Sequence, residues 1–227
     1  MNILSFVRRA LLALVAGAAL CGGSIATANS VTLIPTGFAA GSESFDFTGE
    51  PFSPVSAGAF AGTLDGNPIV FFCFELTQTF NFNPSPAYTY DDSIPSGPQF
   101  TALSELFTEG FATSLSSTDF SVGFQLAVWE ILMETTPASV STGNGSFYVT
   151  NDHGNTGAVT HANDLLAGLP ATGLYTIHLL TNDSHQNFVY GTLPLRQVPE
   201  PAPLTLIGAA MVALLVMRRR IVATRKS

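Results

Sequence analysis

Between Asn29 and Gln197 the chain alternates short apolar runs with clusters of Gly, Ser, Thr, Asn and Pro, and charges are sparse. That rhythm predicts a strand-rich domain. Strands are predicted near Ser44–Phe47, Gly58–Leu64, Ile69–Thr77 and Ala87–Tyr90, and again near Ser146–Thr150, Leu174–Leu180 and Phe188–Leu193. Asp65-Gly66-Asn67-Pro68 separates two of them and reads as a hairpin turn. Ile69–Phe74 is apolar on both faces, which places it centrally. Three segments have helical periodicity. In Val122–Glu134, Phe124, Ala127, Val128 and Ile131 recur at i, i+3, i+4, i+7, the mark of a face turned to a core. Asp119 or Ser121 is placed to cap it, and Pro137 lies past its end. Gln125, Trp129 and Leu132 form the adjacent stripe. Gln99–Phe107 predicts a shorter helix. Val159–Leu166 predicts another, stopped by Gly168 and Pro170. Together these elements predict an α+β, strand-rich β-sandwich or barrel-like domain with two or three short helices.

The two ends follow other rules. In residues 1–28, Arg8 and Arg9 precede the apolar run Leu11–Leu20, and Ala26-Thr27-Ala28 forms a small-residue cleavage site, the pattern of a secretory signal peptide. Signal peptidase is therefore an expected partner. At the other end Ala202–Met217 is uncharged throughout and slightly short for a membrane span. Arg218, Arg219 and Arg220 follow at once, which holds this side in the cytoplasm and the preceding domain outside.

Val198-Pro199-Glu200-Pro201, the short apolar stretch and the arginine cluster, in that order, resemble the PEP-CTERM sorting signal. The resemblance implies recognition and cleavage by the membrane protease-transferase exosortase. It also implies a Gram-negative-type bacterium that makes extracellular polysaccharide. The protein would be anchored in the inner membrane through residues 202–217 before processing, then pass to the cell surface or biofilm matrix. The expected organisation is signal peptide 1–28, extracytoplasmic domain 29–197 and sorting signal 198–227.

All 16 acidic residues of the chain lie between Glu43 and Glu200, against the single cation Arg196 in that region. Nucleic-acid binding needs a basic surface and is excluded. The only lysine, Lys226, lies beyond the apolar stretch, and once the leader with Cys21 is removed Cys73 is the only cysteine. No internal disulfide can hold the exported domain, so it must rely on its core.

A free cysteine in an apolar strand usually behaves as a small hydrophobe, and a helix glutamine usually faces solvent or bonds to backbone. In an exported protein a lone thiol is nevertheless worth attention. Phe72-Cys73-Phe74, followed by a helix with Gln125 and, four residues on, Trp129, resembles the two motifs of bacterial surface thioester domains. In that family the thiol displaces ammonia from the glutamine carboxamide. The resemblance implies an internal thioester between Cys73 and Gln125, shielded by Phe72, Phe74 and Trp129, that captures an amine- or hydroxyl-bearing partner once. Such a protein is not an enzyme and takes no cofactor. The family's isopeptide-stabilised stalk and Gram-positive anchor are missing from this sequence.

Other groupings are weaker. Asp152, His153, His161 and Asp164 lack metal-site spacing and read as loop and cap residues, so no metal site is assigned. Asp91-Asp92 reads as a solvated turn. Ser104, Ser116 and Ser121 lack a nucleophile-elbow context. Two alternatives stay open: a non-covalent structural or polysaccharide-binding surface module, and a polysaccharide hydrolase built on an unidentified carboxylate pair.

Overall fold

The computed structural model describes residues 29–48, 54–82, 86–134, 139–140 and 145–194. The predicted leader (1–28) and the predicted sorting signal (198–227) lie outside the described residues, Pro199, Glu200, Pro201, Arg218, Arg219 and Arg220 included. Among the described residues no helix is long and apolar enough to cross a membrane. The chain divides into two compact units, Met1–Thr192 and Leu193–Ser227, and the fold below is that of the first.

Six strands close into a barrel in the order β1 (Asn29–Phe38), β4 (Phe60–Leu64), β5 (Asn67–Cys73), β9 (Phe188–Thr192), β8 (Thr176–Thr181) and β6 (Tyr88–Ser93). All its pairings are antiparallel. A second sheet joins β3 (Val55–Ala57), β2 (Glu43–Phe47) and β7 (Val149–Asn151) in that order. The helices are α1 (Pro98–Ser114), α2 (Thr118–Met133) and α3 (Thr156–Ala167). The expected strand-rich α+β domain is thus, among the described residues, a barrel with three helices.

The β4–β5 hairpin turns at Asp65 (φ 48°) and Gly66 (φ 81°), the pair of left-handed residues that a tight two-residue hairpin requires. Rings from four strands meet inside the barrel: Phe71 lies 4.8 Å from Phe188, which also contacts Phe60 and Tyr90. A second aromatic layer, Phe72, Phe107, Phe111 and Phe124, joins β5 to α1 and α2. A third joins Trp129 of α2 to Phe47 of β2, which stacks on Phe147.

Several expectations are corrected. Strand β1 was not foreseen; its Pro35 and Gly37 sit at a register shift within a continuous strand. Asp91 and Asp92 are not a solvated turn but part of β6, paired with Thr181 and Leu180. The Asp92 carboxylate is met by His178 Nδ1 at 3.1 Å and accepts from Tyr190 Oη at 2.9 Å, which makes a strand position tolerable for it. Strand β5 ends at Cys73 rather than Thr77, since its β4 partner stops at Phe60, opposite Phe71. Helix α1 continues past Phe107 to Ser114, where Gly110 and Ser114 extend its buried face. Helix α2 is capped by Ser117, whose Oγ accepts from Phe120 N at 3.3 Å, not by Asp119 or Ser121. Nor does α2 turn one face to the core: every residue from Ser121 to Ile131 is buried, so the helix lies inside the molecule.

That enclosure depends on Gly123. A Cβ there would come within 2.8 Å of both Ala158 O and His161 Cβ on α3, neither of which is the free end of a side chain. Gly123→Ala is expected to push α2 and α3 apart at a cost of about 1–3 kcal/mol, read as a lower urea midpoint with an unchanged slope.

Candidate functional site

Strand β5 alternates its side chains across the barrel wall. Phe71 enters the aromatic interior, Phe72 packs on the helices, and Cys73 returns to the side of Phe71. Its neighbour β4 has ended here, so the inner edge of β5 lacks a strand partner at Cys73. Helix α2 supplies one from side chains a turn apart. Ala59 N donates to Ser121 Oγ at 2.8 Å, both buried. Cys73 N donates to Gln125 Oε1 at 2.8 Å, and Gln125 Nε2 donates to Cys73 O at 3.0 Å. The carboxamide of Gln125 therefore pairs with Cys73 as a peptide group of another strand would. Gln125 is 0% exposed and Cys73 7%.

Two positions 52 residues apart in sequence are thus in direct contact. The thiol and the carboxamide belong to two residues joined by a two-point hydrogen bond, and the Cys73 N–H points at the carbonyl oxygen of that carboxamide. Burial, followed by the negative charge of Glu75, pushes the Cys73 thiol well above the ordinary thiol range. Burial thereby favours the neutral thiol over the thiolate.

On its other side Cys73 lines a cavity of about 400 Å³. Phe38, Phe60, Phe80 and Phe82 form its aromatic wall; Phe60 lies 5.0 Å from Phe80 and 5.8 Å from Phe82. Glu75, Gln78 and Gln186 supply polar groups. Gln186 is held in place by Nε2 donating to Glu75 O at 2.6 Å. Gln78 Oε1 is buried and accepts no hydrogen bond.

The remaining residues singled out by sequence are placed as follows. Phe72 is fully buried against Phe107 and Phe124, on the helix side of β5. Phe74 is half-buried and follows the last strand residue, its N–H donating to Asn187 O at 2.9 Å. Trp129 lies one turn beyond Gln125, fully buried, its ring meeting Phe47 edge-on at 5.3 Å and its indole N–H unpaired. Among the described residues none of these three lines the cavity. The aromatic wall there is the one that sequence reasoning missed. Phe80 and Phe82 fall in a polar, irregular stretch after β5, and Phe38 belongs to the unforeseen β1. The alternation Thr79-Phe80-Asn81-Phe82 was the available signal.

The histidines are dispersed. His153 Nε2 meets Asp46 at 3.1 Å, and His161 stacks on Phe120 at 3.9 Å. Among the described residues no group of three or more His, Cys, Asp or Glu side chains could hold a metal ion.

No family model matches the chain, and no curated protein matches it. Among solved structures, the N-terminal domain of the Streptococcus pyogenes pilus tip adhesin Cpa is similar, with a TM-score of 0.48 and 12% sequence identity over 75% of this chain and 96% of that chain.

Proposed function

We propose that this is an exported surface protein whose Cys73 and Gln125 form an internal thioester for one-time covalent attachment. The observation that carries the reading is the two-point pairing of the Gln125 carboxamide with the Cys73 backbone. Export rests on the leader, and release to the surface or matrix by exosortase rests on the Pro199-Glu200-Pro201 signal with its arginines.

The chemistry balances without a cofactor. Cys73 sulfur attacks the Gln125 amide carbon. The C–S bond forms, the C–N bond breaks, and the thiol proton leaves with the amide nitrogen as ammonia. In the tetrahedral intermediate negative charge gathers on Oε1, to which Cys73 N–H already donates at 2.8 Å. One residue thus provides both nucleophile and oxyanion donor. Burial keeps water from the product, since Gln125 is fully enclosed. None of the described residues is a lysine or arginine, so the described domain offers no lysine amine of its own to consume the bond. Attack by an outside nucleophile then leaves the acyl group of Gln125 on the partner and returns Cys73 as a thiol. The event happens once per molecule, so the protein is a covalent binder rather than an enzyme.

Methylamine treatment tests this. The expected result is one new thiol per molecule, with residue 125 recovered as N-methylglutamine, about 14 Da heavier than glutamine, because the amine has replaced ammonia on the acyl carbon. Cys73→Ala should take up none. Unmodified Gln125 in treated wild type, with Cys73 thiol appearing only on unfolding, would show an ordinary buried cysteine and leave the non-covalent module as the reading.

A further inference from the structure

The reaction between Cys73 and Gln125 has a proton to move, and the pairing of the carboxamide with the backbone does not move it. Sulfur attacks as the thiolate, which burial disfavours here. The proton must therefore pass to a base as the sulfur attacks, and the departing amide nitrogen must collect one. Among the described residues that line the cavity with Cys73, Glu75 alone has a side chain suited to take it. The hydroxyls of Ser56 and Thr79 and the amides of Gln78 and Gln186 are not bases at neutral pH. Tyr90, which feels the charge of both Cys73 and Glu75, keeps its own proton: burial raises it far above the neutral range, and its Oη donates to Gln186 O at 2.8 Å.

The position of Glu75 suits the task. It stands two residues after Cys73, so extended backbone turns both side chains to one face, and both reach the cavity. Its charge acts on the thiol directly. Its backbone is fixed by Gln186 Nε2, which donates to Glu75 O at 2.6 Å. The carboxylate itself is held loosely, Oε1 accepting from Asn187 N at 3.3 Å and Oε2 from Thr77 Oγ1 at 3.4 Å. Bonds that long leave its lone pairs open to a proton. No lysine or arginine among the described residues competes for it.

Resting on the thioester reading, we infer that Glu75 is the general base of bond formation, taking the proton of Cys73 across the cavity they share and returning it to the leaving nitrogen of Gln125. The S–H bond breaks and its proton goes to the carboxylate, over hydrogen-bond distance or one bridging water. The C–S bond forms at the carboxamide carbon and the C–N bond breaks. The nitrogen departs as ammonia with the proton that Glu75 gives back, and Glu75 ends as the carboxylate it was. A charge acting only through space would have the opposite effect. It holds the thiol in its neutral form, so removing it would speed the attack.

The test measures the rate of ring closure. The exported protein is opened with ammonia, which restores Gln125 and the Cys73 thiol. Once the ammonia is removed, the return or first appearance of the deficit of about 17 Da is followed by intact mass. Glu75→Gln keeps the size of the side chain and an acceptor for Asn187 N, and is expected to close about 100-fold more slowly than wild type. Glu75→Ala should be as slow. Added formate should restore its rate in proportion to concentration, where chloride at the same ionic strength does not. A structural role would show no such rescue, because formate can replace a proton acceptor but not a misplaced backbone. Closure of Glu75→Gln at the wild-type rate or faster, or a Glu75→Ala variant indifferent to formate, would overturn the inference. Failure of the thioester reading shows separately, as a wild type with no deficit before ammonia is added, and takes this inference with it.

Discussion

Measured against protein with Gln125 as the free amide, Gln125→Ala is expected to lose about 2–6 kcal/mol of stability, while Cys73→Ala loses about 1 kcal/mol. The asymmetry follows from what each side chain holds. Removing the carboxamide strips partners from Cys73 N and Cys73 O together, at an edge where β4 no longer reaches β5. A buried donor or acceptor left unpaired costs about 1–3 kcal/mol each. Against a total of about 5–15 kcal/mol for a domain, that brings the variant close to unfolding. Cys73→Ala removes one sulfur from a site that borders a cavity, and both hydrogen bonds of Gln125 survive because they go to the backbone of residue 73. Urea unfolding followed by circular dichroism measures both, and equal small losses would show that Gln125 does not serve as the missing strand partner. The same contrast makes Cys73→Ala the clean chemical control.

The second large effect is alkaline. Burial raises the Cys73 thiol above its ordinary range, with Glu75 adding to it. Tyr90 is raised chiefly by burial, as is Tyr190, to which the hydrogen bond with Asp92 contributes. In each case the folded state holds its proton to higher pH than the unfolded chain. The stabilisation is complete below the unfolded values, about 8.5 for a thiol and 10 for a tyrosine, and is lost as pH rises past them. Between the unfolded and folded values a free Cys73 thiol lowers stability by about 1.4 kcal/mol per pH unit. Tyr90 and Tyr190, both buried, add to the same alkaline loss in either form. The thioester has no proton to lose, so protein with the bond intact should fall off less steeply above pH 9 than protein opened with methylamine. Rapid urea-jump unfolding at pH 8 and pH 10 compares them. Identical slopes for the two forms would mean that the state of Cys73 does not change on amine treatment.

The sequence carried the central pair well and its surroundings poorly. Cys73 and Gln125 were legible because each broke a local pattern: a thiol without a partner in an apolar strand, and an amide on the most apolar helix. The turn at Asp65-Gly66 and the end of α3 at Gly168 were legible because backbone chemistry there is local. What escaped depends on distant partners. Strand β1 carries Pro35 and Gly37, yet pairing with β4 and β6 on its two sides overrides them. Asp92 is a poor strand residue until His178 and Tyr190 from two other strands surround its carboxylate. Helix α2 showed an apolar stripe, but its enclosure comes from α3 approaching at Gly123 and the sheets closing on the other sides. The cavity wall joins Phe38, Phe60, Phe80 and Phe82 from separate segments, and no spacing rule links them.

The central claim is the Cys73–Gln125 bond, and the intact mass of the freshly isolated exported protein tests it most directly. Compared with the encoded mass between its two mature ends, established by terminal sequencing, the wild type is predicted to be lighter by about 17 Da, the ammonia expelled when the thiol attacks the carboxamide, while Cys73→Ala prepared in parallel shows no deficit. A wild-type mass equal to the encoded one, in protein kept at mild pH from the start, would contradict the account and leave Gln125 as a structural bridge to the edge of β5.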